Sequence, residues 1–166
     1  MQNIPEADKD TLRGYATEAI QAVANMAVER KISLTVENVG VRTKSGVLFD
    51  QDQYLALFEQ LPAEVGSLID IGHAFINHWD VPHVLRTLGT RIHSFHLHNN
   101  NGSADSHRPM FEPGNYYTAE EMCELLLLTN RTAPNAEWIL EYAPGEHISK
   151  ELIMGDLRTL AALNCK

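Results

Sequence analysis

Four short apolar segments alternate with helical patterns along this chain, and this alternation restricts its fold more than any other feature. The segments predicted as strands cover residues 32–37, 65–71, 92–98 and 136–142. Helical spacing of apolar residues predicts helices over residues 10–30, 50–61, 81–88, 118–129 and 149–163. Strands that alternate with helices at this spacing form right-handed βαβ units. The order therefore predicts an α/β fold with parallel βα repeats.

Start and stop signals support the predicted helices. Asp50 is a predicted N-cap, and Pro62 ends the helix that it begins. Pro82 is tolerated in the first turn of the next helix. Thr118 and Glu121 have the spacing of a capping box. The glycine-containing segment 39–50 is predicted as a loop.

Length and composition predict a single domain over residues 1–166. Hydrophobic residues make up 44% of the chain and charged residues 21%, which is typical of a globular protein. The longest apolar run, residues 125–128, is too short for a membrane span, and the N-terminus lacks secretory-signal features. Cys123 and Cys165 have no CxxC spacing, so a cytoplasmic location is expected. The net charge of −9 argues against nucleic acid as a partner.

Ionisable side chains collect at one position of the predicted units, the C-terminal end of each strand or just beyond it. They are Glu37, Asp70, His73, His96, Asp105, His107 and Glu141. In parallel α/β folds this edge of the sheet carries the active site. Three carboxylates held close together require a cation or a proton between them. Carboxylate and imidazole together suit zinc, manganese, iron or cobalt, and the pattern predicts a metal centre.

Residues 91–107 contain four histidines and Asp105, the densest part of this pattern. Strand alternation places His96 and His98 on one face and His93 on the other, so His93 is predicted to face the core or a helix. His98 is left open between supporting the site and contacting substrate. Other histidines in helices or helix-entry loops receive no site role: His78, His83 and His147. Asp70 and His73 also fit a helix cap followed by a surface histidine.

The motifs TVENVG, LIDIGHAF, HLHNNNGSADSH and ILEY, in this order, resemble the sugar phosphate isomerase/epimerase superfamily. This is the xylose isomerase-like TIM barrel group, which includes endonuclease IV. The resemblance implies four βα units that correspond to about the second half of an eight-stranded barrel. The chain is then a natural half-barrel, a truncated gene product or a fragment. The edge strands of such a half are open, and a homodimer that completes the barrel is expected.

The resemblance also implies roles for individual residues. Glu37, Asp70, His96 and Glu141 correspond to the shared metal ligands, and Glu37 and Glu141 to the catalytic acid and base. His73 corresponds to a substrate contact or, with Asp105 and His107, to part of a further metal site. Asn99 stands where many members have Asp, and His98 and Asn99 join His73 as expected substrate contacts. The expected cofactor is one or two divalent ions: zinc, manganese, magnesium or cobalt.

Three functions remain open from the sequence. The first is a metal-dependent sugar or sugar phosphate isomerase or epimerase, acting by proton transfer through a metal-stabilised enediolate. The second is a phosphodiester hydrolase with two or three metals, similar to endonuclease IV. The third is an incomplete, non-catalytic half-barrel. The first two would take a small-molecule substrate, and none requires a membrane.

Overall fold

One parallel sheet organises the computed structural model, which describes residues 6–40, 49–145 and 148–164. Its strands are β1 (Thr35–Glu37), β2 (Gly66–Asp70), β3 (Ile92–Leu97) and β4 (Glu137–Leu140). They lie side by side in chain order, and each runs parallel to the next. The predicted α/β fold with parallel βα repeats is confirmed. His147 and most of the predicted loop, residues 41–48, lie outside the described residues.

Helices connect the strands on the pattern that the sequence predicts, with one addition. They are α1 (Glu6–Glu29), α2 (Gln51–Gln60), α3 (Ile71–Ile76), α4 (Val81–Leu88), α5 (Ala119–Thr132) and α6 (Lys150–Asn164). The predictions of capping at Asp50 and of the Thr118 capping box with Glu121 are confirmed. The short helix α3 was not predicted, and the extension of the second strand to Ile71 was wrong. Asp70 ends β2 and caps α3 by accepting a hydrogen bond from the His73 amide.

The strand register brings the strand ends to a common edge of the sheet. Asp70 pairs with His96 across β2 and β3, and His96 pairs with Ile139 across β3 and β4. The Glu141 amide continues this ladder by donating to the Leu97 carbonyl at 3.2 Å. Side chains that leave the sheet at this edge therefore begin from neighbouring positions.

The core lies between the sheet and the helices. Ile69, Phe95 and Leu97 have no exposed surface, and they pack with buried residues of α4 and α5. Burial of side chains of this size contributes about 1.5–3 kcal/mol each. Tyr54 of α2 reaches under the sheet, where its hydroxyl donates to the Val36 carbonyl and contacts the Ser67 hydroxyl. These contacts join β1 to β2, the strands that end at Glu37 and Asp70.

Within the described residues, β1 and β4 are the two edges of the sheet. Apolar side chains near these edges remain in solvent: Ile32 and Val39 beside β1, Ile139 on β4 and Leu157 on α6. No described helix combines the length and the apolar character needed to cross a membrane.

Candidate metal centre

Four side chains from four strand ends converge in what we call the first cluster: Glu37, Asp70, His96 and Glu141. Each offers one ligand atom, and these atoms all lie within 4.8 Å of one another. His96 Nδ1 lies 2.8 Å from Glu141 Oε2, 3.3 Å from Glu37 Oε1 and 3.8 Å from Asp70 Oδ2. The sequence predicted that these residues share one edge, and the structure brings all four together.

Two buried atoms of the first cluster lack a hydrogen bond among the described residues. His96 Nδ1 and Glu141 Oε2 are close to each other, yet the geometry of their contact is not that of a hydrogen bond. Buried polar atoms are nearly always paired, so an unpaired nitrogen and oxygen that face one point need a partner there. Three carboxylates and one imidazole form a hard-to-borderline ligand set. The residues present therefore fit a divalent cation.

Asp70 is held from several sides, partly by a residue that the sequence analysis missed. Asn38, just beyond β1, accepts a hydrogen bond from the Asp70 amide at 2.7 Å and donates to the Asp70 carbonyl at 3.0 Å. The His73 amide donates to Asp70 Oδ1 at 2.7 Å. Asp70 is thus the helix cap that the sequence offered as an alternative to a metal ligand. The same carboxylate also belongs to the first cluster. In the sequence, the position of Asn38 directly after Glu37 in the motif TVENVG was the available signal.

A second cluster lies beside the first and comprises His73, His98, Asp105 and His107. Asp105 is at its centre, because its Oδ2 lies 3.2 Å from His73 Nε2 and its Oδ1 lies 3.4 Å from His107 Nε2. Asp105 Oδ1 is buried and makes no hydrogen bond with a described residue. The sequence predicted His73, Asp105 and His107 as one group, and distance adds His98 to it.

Charge in the second cluster is balanced by protonation when no cation is bound. Burial lowers the pKa of His73, but its hydrogen bond to Asp105 and the charges of Asp70 and Asp105 outweigh burial and raise that pKa to about 9. For Asp105, burial raises the pKa, and the hydrogen bond to His73 with the nearby imidazoles lowers it below its usual value. A divalent cation would take the place of this proton, since metal-bound imidazole is neutral.

The loop that carries Asp105 and His107 is held in a strained conformation. His107 has φ of 43°, in the left-handed region that non-glycine residues rarely adopt. Its Nδ1 lies 3.1 Å from the Glu141 carbonyl, and its own carbonyl accepts from the Ala143 amide at 2.9 Å. Such strain persists only where surrounding contacts enforce it, and it is concentrated at functional sites. The contacts with residues 141 and 143 hold His107 against the end of β4.

Asn99 has no exposed surface, and its side chain organises the loop from inside. Its amide donates to the carbonyls of Met110 at 3.0 Å and Tyr117 at 2.9 Å. Its backbone pairs with Arg108 in both directions. Substrate contact by Asn99 stays a prediction, whereas these observed contacts are structural. An aspartate here could not donate to the two carbonyls.

The other histidines lie away from both clusters. His93 lies at the register shift between β2 and β3 and directly over Gly66, where an added Cβ would approach its Nδ1 to 2.1 Å. Its placement toward the core or a helix stays a prediction. His83 is exposed on α4, and His78 follows α3.

The chain belongs to the xylose isomerase-like TIM barrel family, since residues 2–154 match that family's model. Two solved structures resemble it in fold. A D-tagatose 3-epimerase-like protein aligns with a TM-score of 0.71 and 17% identity, over 98% of this chain and 60% of its own. A D-psicose 3-epimerase, crystallised in the presence of D-fructose, aligns with a TM-score of 0.58 and 20% identity, over 99% of this chain and 56% of its own.

This chain thus spans little more than half the length of either structure. At these identities the likeness establishes the fold, namely part of a (β/α) barrel. No curated protein sequence matches the chain significantly.

Proposed function

We propose that this chain provides the metal site of a sugar isomerase or epimerase that depends on a divalent cation. The observation that carries the proposal is the first cluster, in which one ligand from each of four strand ends faces a common point. The unpaired atoms His96 Nδ1 and Glu141 Oε2 support a cation at that point. The fold shared with two 3-epimerase-type structures supports a sugar as the substrate class.

The proposed chemistry divides between the cation and two glutamates. A bound divalent ion supplies positive charge that stabilises negative charge developing on neighbouring carbonyl and hydroxyl oxygens of a sugar. Glu37 ends one edge strand and Glu141 follows the other, and their side chains are 40% and 44% exposed. They can therefore approach a sugar carbon from two sides, where one removes a proton and the other returns a proton to the opposite face. Asp70 and His96 would hold the cation together with these two glutamates.

The test is incorporation of solvent deuterium into a ketose. Protein loaded separately with manganese, cobalt, zinc or magnesium is incubated in deuterated water with D-tagatose, D-psicose or D-fructose, and exchange at carbon is followed by NMR. We expect exchange with at least one metal, and a decrease of at least about 100-fold in Glu37→Gln and Glu141→Gln, because general acid–base catalysis contributes about 10²–10⁴-fold. Glu59→Gln, on the exposed side of α2, is the matched control.

Unchanged exchange in both site variants would refute the roles given to Glu37 and Glu141. Absence of exchange with every metal and sugar would argue against the isomerase itself.

The second cluster favours one other function, a metal-dependent phosphodiester hydrolase. His73, Asp105 and His107 would hold a second cation close to the first, and such pairs activate water and stabilise a leaving group. The net charge of −9 favours a small phosphodiester over long nucleic acid. Elemental analysis separates the alternatives: about one ion per chain supports the isomerase, and two support the hydrolase. Hydrolysis of bis(p-nitrophenyl) phosphate would then be measured directly.

We also propose that the chain forms one domain over residues 1–166 and pairs as a homodimer. Two open edges of a parallel sheet, each beside exposed apolar side chains, support pairing of β4 with β1 of a second copy. Light scattering should give twice the chain mass, and Ile139→Glu on β4 should give the chain mass. A stable, folded wild-type monomer at micromolar concentration would refute the dimer.

Failure to bind metal after zinc and manganese loading would favour a non-catalytic half-barrel.

A further inference from the structure

His98 belongs to the second cluster by distance, but its Nε2 contacts Asp70 of the first cluster, and its Nδ1 lies 3.3 Å from the Asn99 carbonyl oxygen. Its ring is fully buried. Its Nε2 lies 2.8 Å from Asp70 Oδ1 and 3.0 Å from Asp70 Oδ2. Because an ionised carboxylate can only accept hydrogen bonds, His98 Nε2 is the donor in this contact. A nitrogen that carries this proton has no lone pair left for a metal.

The orientation of the rings separates His98 from the metal ligands of the second cluster. His98 stacks on His107, with ring centroids 3.8 Å apart and planes 11° from parallel. An imidazole nitrogen binds a metal through a lone pair in its own ring plane, at about 2.0–2.1 Å for zinc. A cation in the plane of His107 would therefore lie out of the plane of His98, where His98 directs no lone pair.

His73 and His107, by contrast, are arranged to share a cation. Their planes are 82° apart, and their ring centroids are 5.7 Å apart. Both Nε2 atoms point to the same carboxylate, Asp105, at 3.2 and 3.4 Å. Perpendicular rings of this kind can direct both lone pairs to one point. The ligand set of the second cluster is thus complete without His98.

Gly72 explains how His98 reaches Asp70. A Cβ at this position would lie 2.0 Å from His98 Cε1 and 2.3 Å from its Nδ1. Only a residue without a side chain leaves this space in the first turn of α3. The His98 ring therefore fits between Gly72, which it closely approaches, and His107, on which it stacks.

We infer that His98 is a positioning residue for the first metal site and is neither a metal ligand nor a substrate contact. Its Nε2–H holds the Asp70 carboxylate in the orientation that faces His96. Its ring lies between Asp70 and His107, so that His107 also restrains the position of Asp70 through His98. The inference rests on the proposed first metal site and does not depend on which reaction that site performs.

The test compares two amide substitutions that differ in reach. Gln can place an N–H near the position of His98 Nε2, whereas Asn is too short to do so. Each is made in an Asp105→Asn background, in which the second cluster has lost its only carboxylate, and zinc and cobalt affinities are measured by competition with a chelating dye. We expect His98→Asn to weaken binding about 10–100-fold, the usual effect of losing a group that orients a ligand. His98→Gln should change the metal affinity by no more than about 3-fold, which is far less than the loss expected for His98→Asn.

A second measurement uses the chain with Asp105 intact. Elemental analysis should give the same number of ions for His98→Gln as for the wild type, because His98 is not a ligand. His83→Ala, exposed on α4, is the control for loss of a histidine. Circular dichroism establishes that each variant is folded, and the Gln variant still decides the question if the Asn variant does not fold.

Three results would overturn the inference. Equal affinities for the wild type, Asn and Gln variants would show that His98 does not position Asp70. Equal losses in Asn and Gln would exclude the hydrogen bond as the cause. Loss of one ion in His98→Gln would make His98 a ligand of the second cluster. All of these are binding measurements, so a missing isomerase activity would leave the outcome unaffected.

Discussion

The two clusters lie side by side but are built in different ways. The first takes its ligands from the ends of four neighbouring strands, whose spacing is fixed by the parallel ladder. The second takes His73 from the short helix α3 and the rest from the segment that follows β3. A ladder holds its members through many backbone hydrogen bonds, whereas a loop depends on a few side-chain contacts. We therefore expect the first cluster to be preformed and the second to depend on its loop.

Their charges differ as well. The first cluster has three carboxylates to one imidazole, and two of its buried atoms are unpaired among the described residues. In the second cluster, protonated His73, with its pKa near 9, offsets the single carboxylate of Asp105. A cation at the first cluster relieves repulsion between carboxylates, whereas at the second it must displace a proton. The first cluster is accordingly expected to bind a divalent ion more tightly near neutral pH.

The largest effect is expected from removing the histidine of the first cluster. His96→Ala should lower the affinity of the tighter metal site by more than about 100-fold, because losing a ligand costs more than losing the group that orients it. His107→Ala is the matched control and should leave the tighter site within about 10-fold, since His107 touches the first cluster through the His98 ring and the Glu141 backbone and not through a ligand atom. Isothermal titration with zinc measures both. A loss of the same size in both variants would mean that the clusters are one site.

Asp105→Asn should act selectively on the second cluster. It removes the only carboxylate there, and the weaker metal site is expected to lose at least about 10-fold in affinity, while the tighter site changes little. If the wild type holds two zinc ions per chain after dialysis against micromolar zinc, elemental analysis of this variant should give one. An unchanged count of two would remove Asp105 from the ligands.

Asn38→Ala tests whether the first cluster depends on its scaffold. The substitution leaves the buried amide and carbonyl of Asp70 without the partners that now lie at 2.7 and 3.0 Å. An unsatisfied buried polar group costs about 1–3 kcal/mol, so urea unfolding should show a loss of at least that size. Zinc affinity at the tighter site should also fall. Normal stability together with normal affinity would show that the ladder alone holds Asp70.

The smallest effect concerns the support behind Glu141. The next residue, Tyr142, donates a hydrogen bond to Asp156 Oδ2 at 2.6 Å. Burial raises the pKa of Asp156 above its usual value of 3.8, and the hydrogen bond from Tyr142 only partly lowers it. A carboxyl group with a raised folded-state pKa contributes stability that is present below the unfolded value and lost as pH rises through the folded value.

Asp156→Asn keeps an acceptor for Tyr142 and removes the loss of stability that the ionisation of Asp156 causes as pH rises. Relative to the wild type, its free energy of unfolding in chelator should therefore increase as pH rises from about 4 to about 7. Metal affinity at either site should not change. A difference in stability that stays constant with pH would contradict the raised pKa.

Much of the first cluster could be predicted because it follows from regular structure. Alternating apolar residues located the strands. Three of the predicted strands have a carboxylate at or near their C-terminal end, and the remaining strand has His96 near its end. Parallel strands end at one edge, so Glu37, Asp70, His96 and Glu141 were expected together before any coordinates. The strand ends were less accurate, and α3 was missed. Six residues are too few to show a helical period, and the cap that starts α3 is the same Asp70 that ends β2.

The sequence by itself determined the parallel α/β fold and the identity of the residues at the C-terminal edge of its sheet, since both follow from local periodicity and chain order. The family resemblance already implied two groups of residues, whereas only the tertiary structure placed the His98 ring between Asp70 and His107. Ring orientation depends on contacts between distant segments: Gly72 leaves room for His98, and Asn38 holds Asp70 from the neighbouring strand. No local pattern encodes such contacts, because they arise only after the strands and loops have packed.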